Sequence, residues 1–195
     1  EFFNKSYLKG EKMARVRDIE IEEVPVEVRS IYQRYINEYG PFANQVKVFA
    51  HRPIALKYIM GMLLEMSDNP ILDRRHLEIA IVAVSAINRC DYCVAHHAPK
   101  LLDSGLPRAT VDSILDKKCP GLTPLELLVR DYAVQITRDH NRVSDVQFNE
   151  LKEHFTEEQM VELTFRITLC TFFNKFNDVM QLEMEDEASL YHSGI

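Results

Sequence analysis

A chain of 195 residues, 46% hydrophobic and 27% charged, is long enough to close a real core as one or two compact domains, and its formal net charge of −7 offers no broad attraction to nucleic acid or an anionic membrane. No apolar run reaches the ~18–20 residues of a membrane span; even the stretch from Leu77 to Ile87 stops at eleven. The expected partner is a small molecule or another protein, not nucleic acid and not a membrane.

Residues 1–12 lack the apolar centre of a secretion signal, and Met13 followed by Ala14 reads as a natural start. The expectation is an added leader over 1–12 and a single all-α domain over 13–195. Without an export signal the expected compartment is the cytoplasm. There, four cysteines are too few for a disulfide scaffold, and a close pair reads as catalytic or metal-binding.

Helix punctuation recurs along the chain, and alternating strand patterns are absent. Pro25 to Tyr39 forms an amphipathic pattern with Ile31, Tyr35 and Ile36 on one side, closed by Gly40; a shorter helical stretch runs from Pro41 to Ala50. Pro53 starts a helix through Tyr58 and Met62 to about Met66, before the breaker run Ser67-Asp68-Asn69-Pro70. Asp73 is placed to cap the next helix. Leu77 to Ile87 is apolar on all sides except Glu78 and Ser85, which predicts a buried central helix; its β-branched residues favour a strand, but its length favours a helix.

Asn88-Arg89 interrupts the pattern, and a new helix beginning near Cys90 runs to about Ser104, with Gly105 at its C-cap. Capping boxes at Thr123 with Glu126, Ser144 with Gln147 and Thr156 with Gln159 mark three further helices, the last reaching toward Glu187. The tail from Glu183 to Ile195 turns acidic and then patternless, and is expected to fray or dock on a neighbouring subunit. Cys119 and Cys170 read as buried or incidental thiols.

The chemistry concentrates between Glu78 and His97. Cys90 and Cys93 form a Cys-x-x-Cys pair, and His97 lies four residues after Cys93. At 100° per residue, Cys90, Cys93 and His97 fall within about 60° of arc on one helix face. A thiol attacks as thiolate, and at an ordinary value near 8.5 only about 3% is ionised at pH 7, so activation is needed. A helix N-terminus and His97 both supply it. A mid-helix pair three residues apart is too widely spaced for a disulfide, whereas a pair straddling a helix start can close reversibly.

Glu78 is the one ionisable residue between Leu77 and Ile87, and a carboxylate there is costly without a partner. If the chain turns near Asn88 and the helices run antiparallel, Glu78 returns to about the level of His97, where it would orient the imidazole. Zinc on Cys90, Cys93, His96 and His97 is disfavoured because ~10 Å of helical rise separates Cys90 from His97 against metal bonds of ~2.0–2.3 Å. His96, turned about 100° from His97, is expected to be exposed or structural. No dinucleotide motif is present, so no cofactor is expected and electrons must come from a partner.

At Glu78, Cys90, Cys93 and His97 the chain resembles the carboxymuconolactone decarboxylase-like superfamily, in its alkylhydroperoxidase D-like branch, through the pattern E-x11-C-x-x-C-x-x-x-H. Similarity extends over most of residues 40–182, including Pro53, Gly105-Leu106 and Asn174-Lys175-Phe176. The resemblance implies an all-α fold, homo-oligomers such as trimers or hexamers, and thiol-dependent reduction of hydroperoxides with an external dithiol or protein donor. By the same resemblance Cys93 is the peroxidatic thiol, Cys90 the resolving one, and Glu78 with His97 the proton relay. One position departs: the best-known hydroperoxidases of the branch carry histidine before the second cysteine, and here it is Tyr92, which cannot serve as a base near neutral pH. Two other readings are lactone decarboxylation, whose branch typically lacks the paired cysteines, and a non-enzymatic redox sensor using the same thiols.

Overall fold

The computed structural model describes residues 14–40 and 42–185, and among these every regular element is helical. The leader assigned to 1–12 and the far part of the tail, 186–195, lie outside the described residues. The described part of the chain thus has the all-α fold expected of it.

The first layer is built from α1 (Val26–Arg34), α2 (Ala43–Phe49), α3 (Pro53–Ala55) and α4 (Gly61–Asp68). Two stretches within it were not visible as periodicity: Tyr35–Tyr39 and Leu56–Met60 are π-helical, continuing α1 and bridging α3 to α4. Tyr35 and Tyr39 lie on one side of this turn, where their rings stack with centroids 4.5 Å apart, and both face the cavity that Cys93 and His97 also line.

At the centre lies α5 (Arg74–Asn88), capped as expected by Asp73, whose carboxylate accepts from the Arg75 N–H at 2.7 Å. It packs against α6 (Asp91–Asp103), α8 (Pro124–Asp139) and α10 (Glu157–Met180). Ile79, Val82 and Val84 are at most 1% exposed. Burying each contributes ~1.5–3 kcal/mol, which outweighs the ~0.5 kcal/mol that a β-branched residue costs a helix. Tertiary burial on every side therefore settles the helix-against-strand ambiguity.

Between Leu106 and Thr123 the chain forms a short helix that the sequence did not announce, α7 (Arg108–Asp112). Both bonds of the capping box form at Thr123 and at Thr156, while at Ser144, which starts α9 (Asp145–Lys152), only the serine half is made. The last helix stops at Met180, short of Glu187, because Gln181 turns left-handed at φ 53° and Leu182 N–H closes back on the Asn177 carbonyl at 3.1 Å. The chain then returns to its own surface: Asn44 Nδ2 donates to the Glu183 carbonyl, and Ala14 N–H to the Glu183 carboxylate. The described start of the tail thus docks on its own chain.

Candidate active site

The turn between α5 and α6 sets the site. Arg89 adopts a left-handed conformation at φ 57°, and Cys90 N–H bonds to the Ser85 carbonyl at 3.0 Å, closing α5. Cys90 is extended and occupies the N-cap of α6, where its carbonyl accepts the Val94 N–H at 3.0 Å; Cys93 lies in the first turn. The expected straddling of a helix start is realised, and the two thiols are free and buried. The neighbouring Cys93 sulfur, together with burial, pushes the Cys90 thiol far above its ordinary range.

The antiparallel return of α6 along α5 places His97 Nδ1 2.7 Å from Glu78 Oε2. Glu78 is 5% exposed, and Lys100 Nζ lies 3.7 Å from its other oxygen. Burial acts against the Glu78 charge, but the bond to His97 and the cations Lys100 and Arg74 hold its carboxyl below the usual range. Burial likewise acts against imidazolium and outweighs the attraction of Glu78, so His97 sits below its ordinary value. Together these directions give a carboxylate that accepts Nδ1–H from a neutral imidazole, leaving Nε2 as the lone-pair nitrogen.

Cys93 and His97 line the same cavity, of about 40 Å³, together with Tyr35, Tyr39, Phe42, Gln45, Arg166 and Cys170. That space holds a few atoms, far less than the ~300–1,000 Å³ of a drug-sized pocket. No direct hydrogen bond joins His97 to Cys93 among the described residues. The side chain that touches the thiol is Asn177 on α10, whose Nδ2 donates to Cys93 Sγ at 3.2 Å. Asn177 Oδ1 in turn accepts from Gln45 Nε2 at 3.0 Å, and Tyr35 hydroxyl approaches Gln45 Oε1 at 3.5 Å. This buried chain fixes which way the Asn177 amide points.

Sequence reasoning passed over Asn177, Gln45 and Arg166. A signal was available on α10: Arg166, Cys170, Phe173, Asn174 and Asn177 repeat at helical spacing, so polar residues occupy an inward stripe. Cys170 Sγ lies 3.4 Å from Ser85 Oγ, and burial pushes its thiol up to about 12. Cys119 lies in a separate core cluster with Val111 and Ile114. Among the described residues no cluster of three or more His, Cys, Asp or Glu is placed to hold a metal ion.

His96 is buried, not exposed. Its ring packs on Phe42 and Tyr92 at 4.7 and 4.2 Å, Nδ1 contacts the Tyr92 carbonyl at 2.6 Å, and Nε2 lies 2.7 Å from Glu185 Oε2, off the line of a hydrogen bond. Glu185 Oε1 accepts from Tyr92 hydroxyl and from Asn44 N–H, both at 2.8 Å. Tyr92 is raised well above its ordinary value by burial and by Glu185, which keeps it a donor.

The helical fold thus presents Cys93 and His97 to one cavity, with Glu78 bonded to His97 and Cys90 at the start of the same helix. Residues 53–120 match the model of the carboxymuconolactone decarboxylase family. It is 24% identical over 140 residues to the uncharacterized protein YdfG of Bacillus subtilis strain 168, covering 71% of this chain and 95% of that one. It is 36% identical over 55 residues to the alkyl hydroperoxide reductase AhpD of Mycolicibacterium paratuberculosis, a match that spans 28% of this chain and 31% of that protein.

Among solved structures, an uncharacterized peroxidase-related protein with an alkylhydroperoxidase AhpD core from Ralstonia eutropha JMP134 superposes with a TM-score of 0.77 at 21% identity, covering 90% of this chain and 94% of that one. The debrominase Bmp8 superposes with a TM-score of 0.74 at 15% identity, over 90% and 95%. At these identities the likeness establishes the fold.

Proposed function

We propose that the chain is a thiol-dependent hydroperoxide reductase in which Cys93 is the nucleophile, Cys90 the resolving thiol, and Glu78 with His97 the proton relay. One observation carries this reading: Cys93 and His97 line one small cavity, His97 is bonded to Glu78, and Cys90 stands one helical turn before Cys93. Neutral His97 takes the Cys93 proton across the cavity, through a water or the bound peroxide, and Glu78 holds the imidazole in the tautomer that leaves Nε2 free. The thiolate attacks the terminal peroxide oxygen, giving Cys93 sulfenic acid, and the departing alkoxide takes the proton back from His97. Cys90 then displaces water to form the disulfide, and an external dithiol or protein donor restores both thiols.

Assembly into a homo-oligomer belongs to the same proposal. Ile54, Tyr58, Phe172 and Val179 are large apolar side chains left more than 40% exposed, which supports contact with further copies; light scattering of the purified chain measures it.

The deciding experiment is multiple-turnover consumption of tert-butyl hydroperoxide with dihydrolipoamide as donor. Wild type consumes many equivalents, and Cys93→Ser consumes none. Unchanged turnover in Cys93→Ser sinks the mechanism, and loss confined to Cys90→Ser reverses the two thiol roles. Consumption of one equivalent per thiol pair is the behaviour of a redox sensor, and turnover of a lactone after thiol alkylation is that of a decarboxylase.

A further inference from the structure

Arg166 stands on the α10 stripe that faces the cavity and is 8% exposed. Among the described residues its hydrogen-bond partner is the neutral Tyr39 hydroxyl, 3.2 Å from Nη2, and it forms no ion pair. A guanidinium carries five N–H donors and stays charged in any protein setting, so a buried one is normally matched by an anion or by carbonyls. Arg130 shows the usual arrangement, donating to Asp131 and to the carbonyls of Ile114 and Asp116. The remaining donors of Arg166 are not sealed in protein: none of its nitrogens is among the fully buried unpaired atoms, and the residue lines the cavity shared by Cys93 and His97.

Charge around the cavity runs the same way. Lys100 and Arg74 act on Glu78, Lys100 also feels Arg166, and Glu162, one turn before Arg166, is the carboxylate in its reach. Of these groups Arg166 lines the cavity itself, while Lys100 is held 3.7 Å from Glu78.

We propose that this cavity is a carboxylate subsite and that the substrate class is a peroxy acid, whose leaving carboxylate Arg166 receives as Cys93 attacks the terminal oxygen. The substrate class rests on the thiol-peroxidase reading of Cys93. The step balances: Cys93 thiolate and R–CO–O–OH give Cys93 sulfenic acid and R–COO⁻. The S–O bond forms, the O–O bond breaks, sulfur is oxidised by two electrons and the leaving oxygen keeps the electron pair. An alkoxide must be protonated as it leaves, whereas a carboxylate departs as the anion. A permanently charged guanidinium, with no proton to give, stabilises that charge as it develops and matches its two oxygens. Cys93 and Arg166 line this same cavity of about 40 Å³, which is where the peroxycarboxyl group would sit.

The test has two independent readouts. In the first, the reduced protein is alkylated with iodoacetamide, and modification of Cys93 is monitored by peptide mass in the presence of acetate or its neutral isostere acetamide. Saturating acetate slows modification at least fivefold and acetamide does not. Arg166→Met abolishes the protection, and Arg166→Lys, which keeps the charge but not the fork, retains part of it. In the second, rate constants for Cys93 oxidation by peracetic acid and by tert-butyl hydroperoxide are compared, and their ratio falls at least tenfold in Arg166→Met.

Equal acetate protection in wild type and Arg166→Met, or an unchanged ratio between the peroxides, overturns the proposal. If wild type is oxidised by neither peroxide, the thiol-peroxidase reading and the peroxy acid fall together. If wild type is oxidised by both but acetate gives no protection, the carboxylate subsite alone falls.

Discussion

Replacing Asn177 by leucine removes the amide donor that touches Cys93, at 3.2 Å, while keeping the volume of the buried site similar. A hydrogen bond to a charged acceptor contributes about 1.5–3 kcal/mol. At ~1.4 kcal/mol per decade, its loss lowers the thiolate population of Cys93 by ~10–150-fold. Part of this returns, because a more basic thiolate is a better nucleophile with a Brønsted slope of ~0.4–0.5, which leaves a net rate loss of roughly 3–20-fold. The same change orphans Gln45 Nε2, whose 3.0 Å bond ends on Asn177 Oδ1. A buried unsatisfied donor costs ~1–3 kcal/mol, or a melting temperature lower by ~2–12 °C for a chain of this size. Alkylation of Cys93 at pH 7 reads the first effect and thermal unfolding the second. Gln45→Met separates them: it removes the orienting contact and lowers stability similarly, but leaves the Asn177 amide on the sulfur. A folded Asn177→Leu protein whose Cys93 reacts at the wild-type rate refutes the thiolate-donor role, and equal rate losses in the two variants reduce Asn177 to a structural part.

Cys93 reactivity should fall as pH drops below about 6.5, because protonation of His97, whose value lies below the ordinary 6.5, removes the base; His97→Gln should lower the rate at pH 7 by ~10²-fold and erase that inflection in an alkylation profile. Stability should change with the same sign. Glu78 lies below its ordinary 4.5 when folded, so its contribution is present above that value and lost as pH falls through the folded one; buried neutral His97 adds a loss that begins below 6.5. Melting temperature therefore declines from pH 7 to pH 4 in wild type, and Glu78→Gln removes the lower part of that decline. Glu185→Ala strips Tyr92 hydroxyl and Asn44 N–H of their shared acceptor and should cost ~1–3 kcal/mol in thermal unfolding, with no loss if the returning tail is not held there.

How much of the site could be read in the sequence depends on how local its parts are. The break at Asn88-Arg89, one charge inside an apolar helix, and thiols and imidazole on one face specify the α5–α6 hairpin, because a tight turn forces two antiparallel helices into one register; the 2.7 Å contact of Glu78 with His97 is a consequence of that register. The remaining contacts join residues 132, 127 and 93 positions apart, Gln45 to Asn177, Tyr39 to Arg166 and Tyr92 to Glu185, and no periodicity reports which polar residue meets which across such distances. The π-helical turns escaped for a related reason, since a wider turn leaves composition and the apolar pattern of so short a stretch unchanged.

At Tyr92 these distant contacts change the chemistry. Taken alone, Tyr92 is an imidazole lost from a relay. With Glu185 against it, it is a buried donor that helps hold the returning tail over His96, while Asn177 and His97 attend Cys93 from other sides. In the proposed reaction a base beside the thiol is then less needed, because a neutral His97 shares the cavity and an amide donor already touches the sulfur. The acid limb of the rate profile should accordingly report one imidazole, His97, and not a pair.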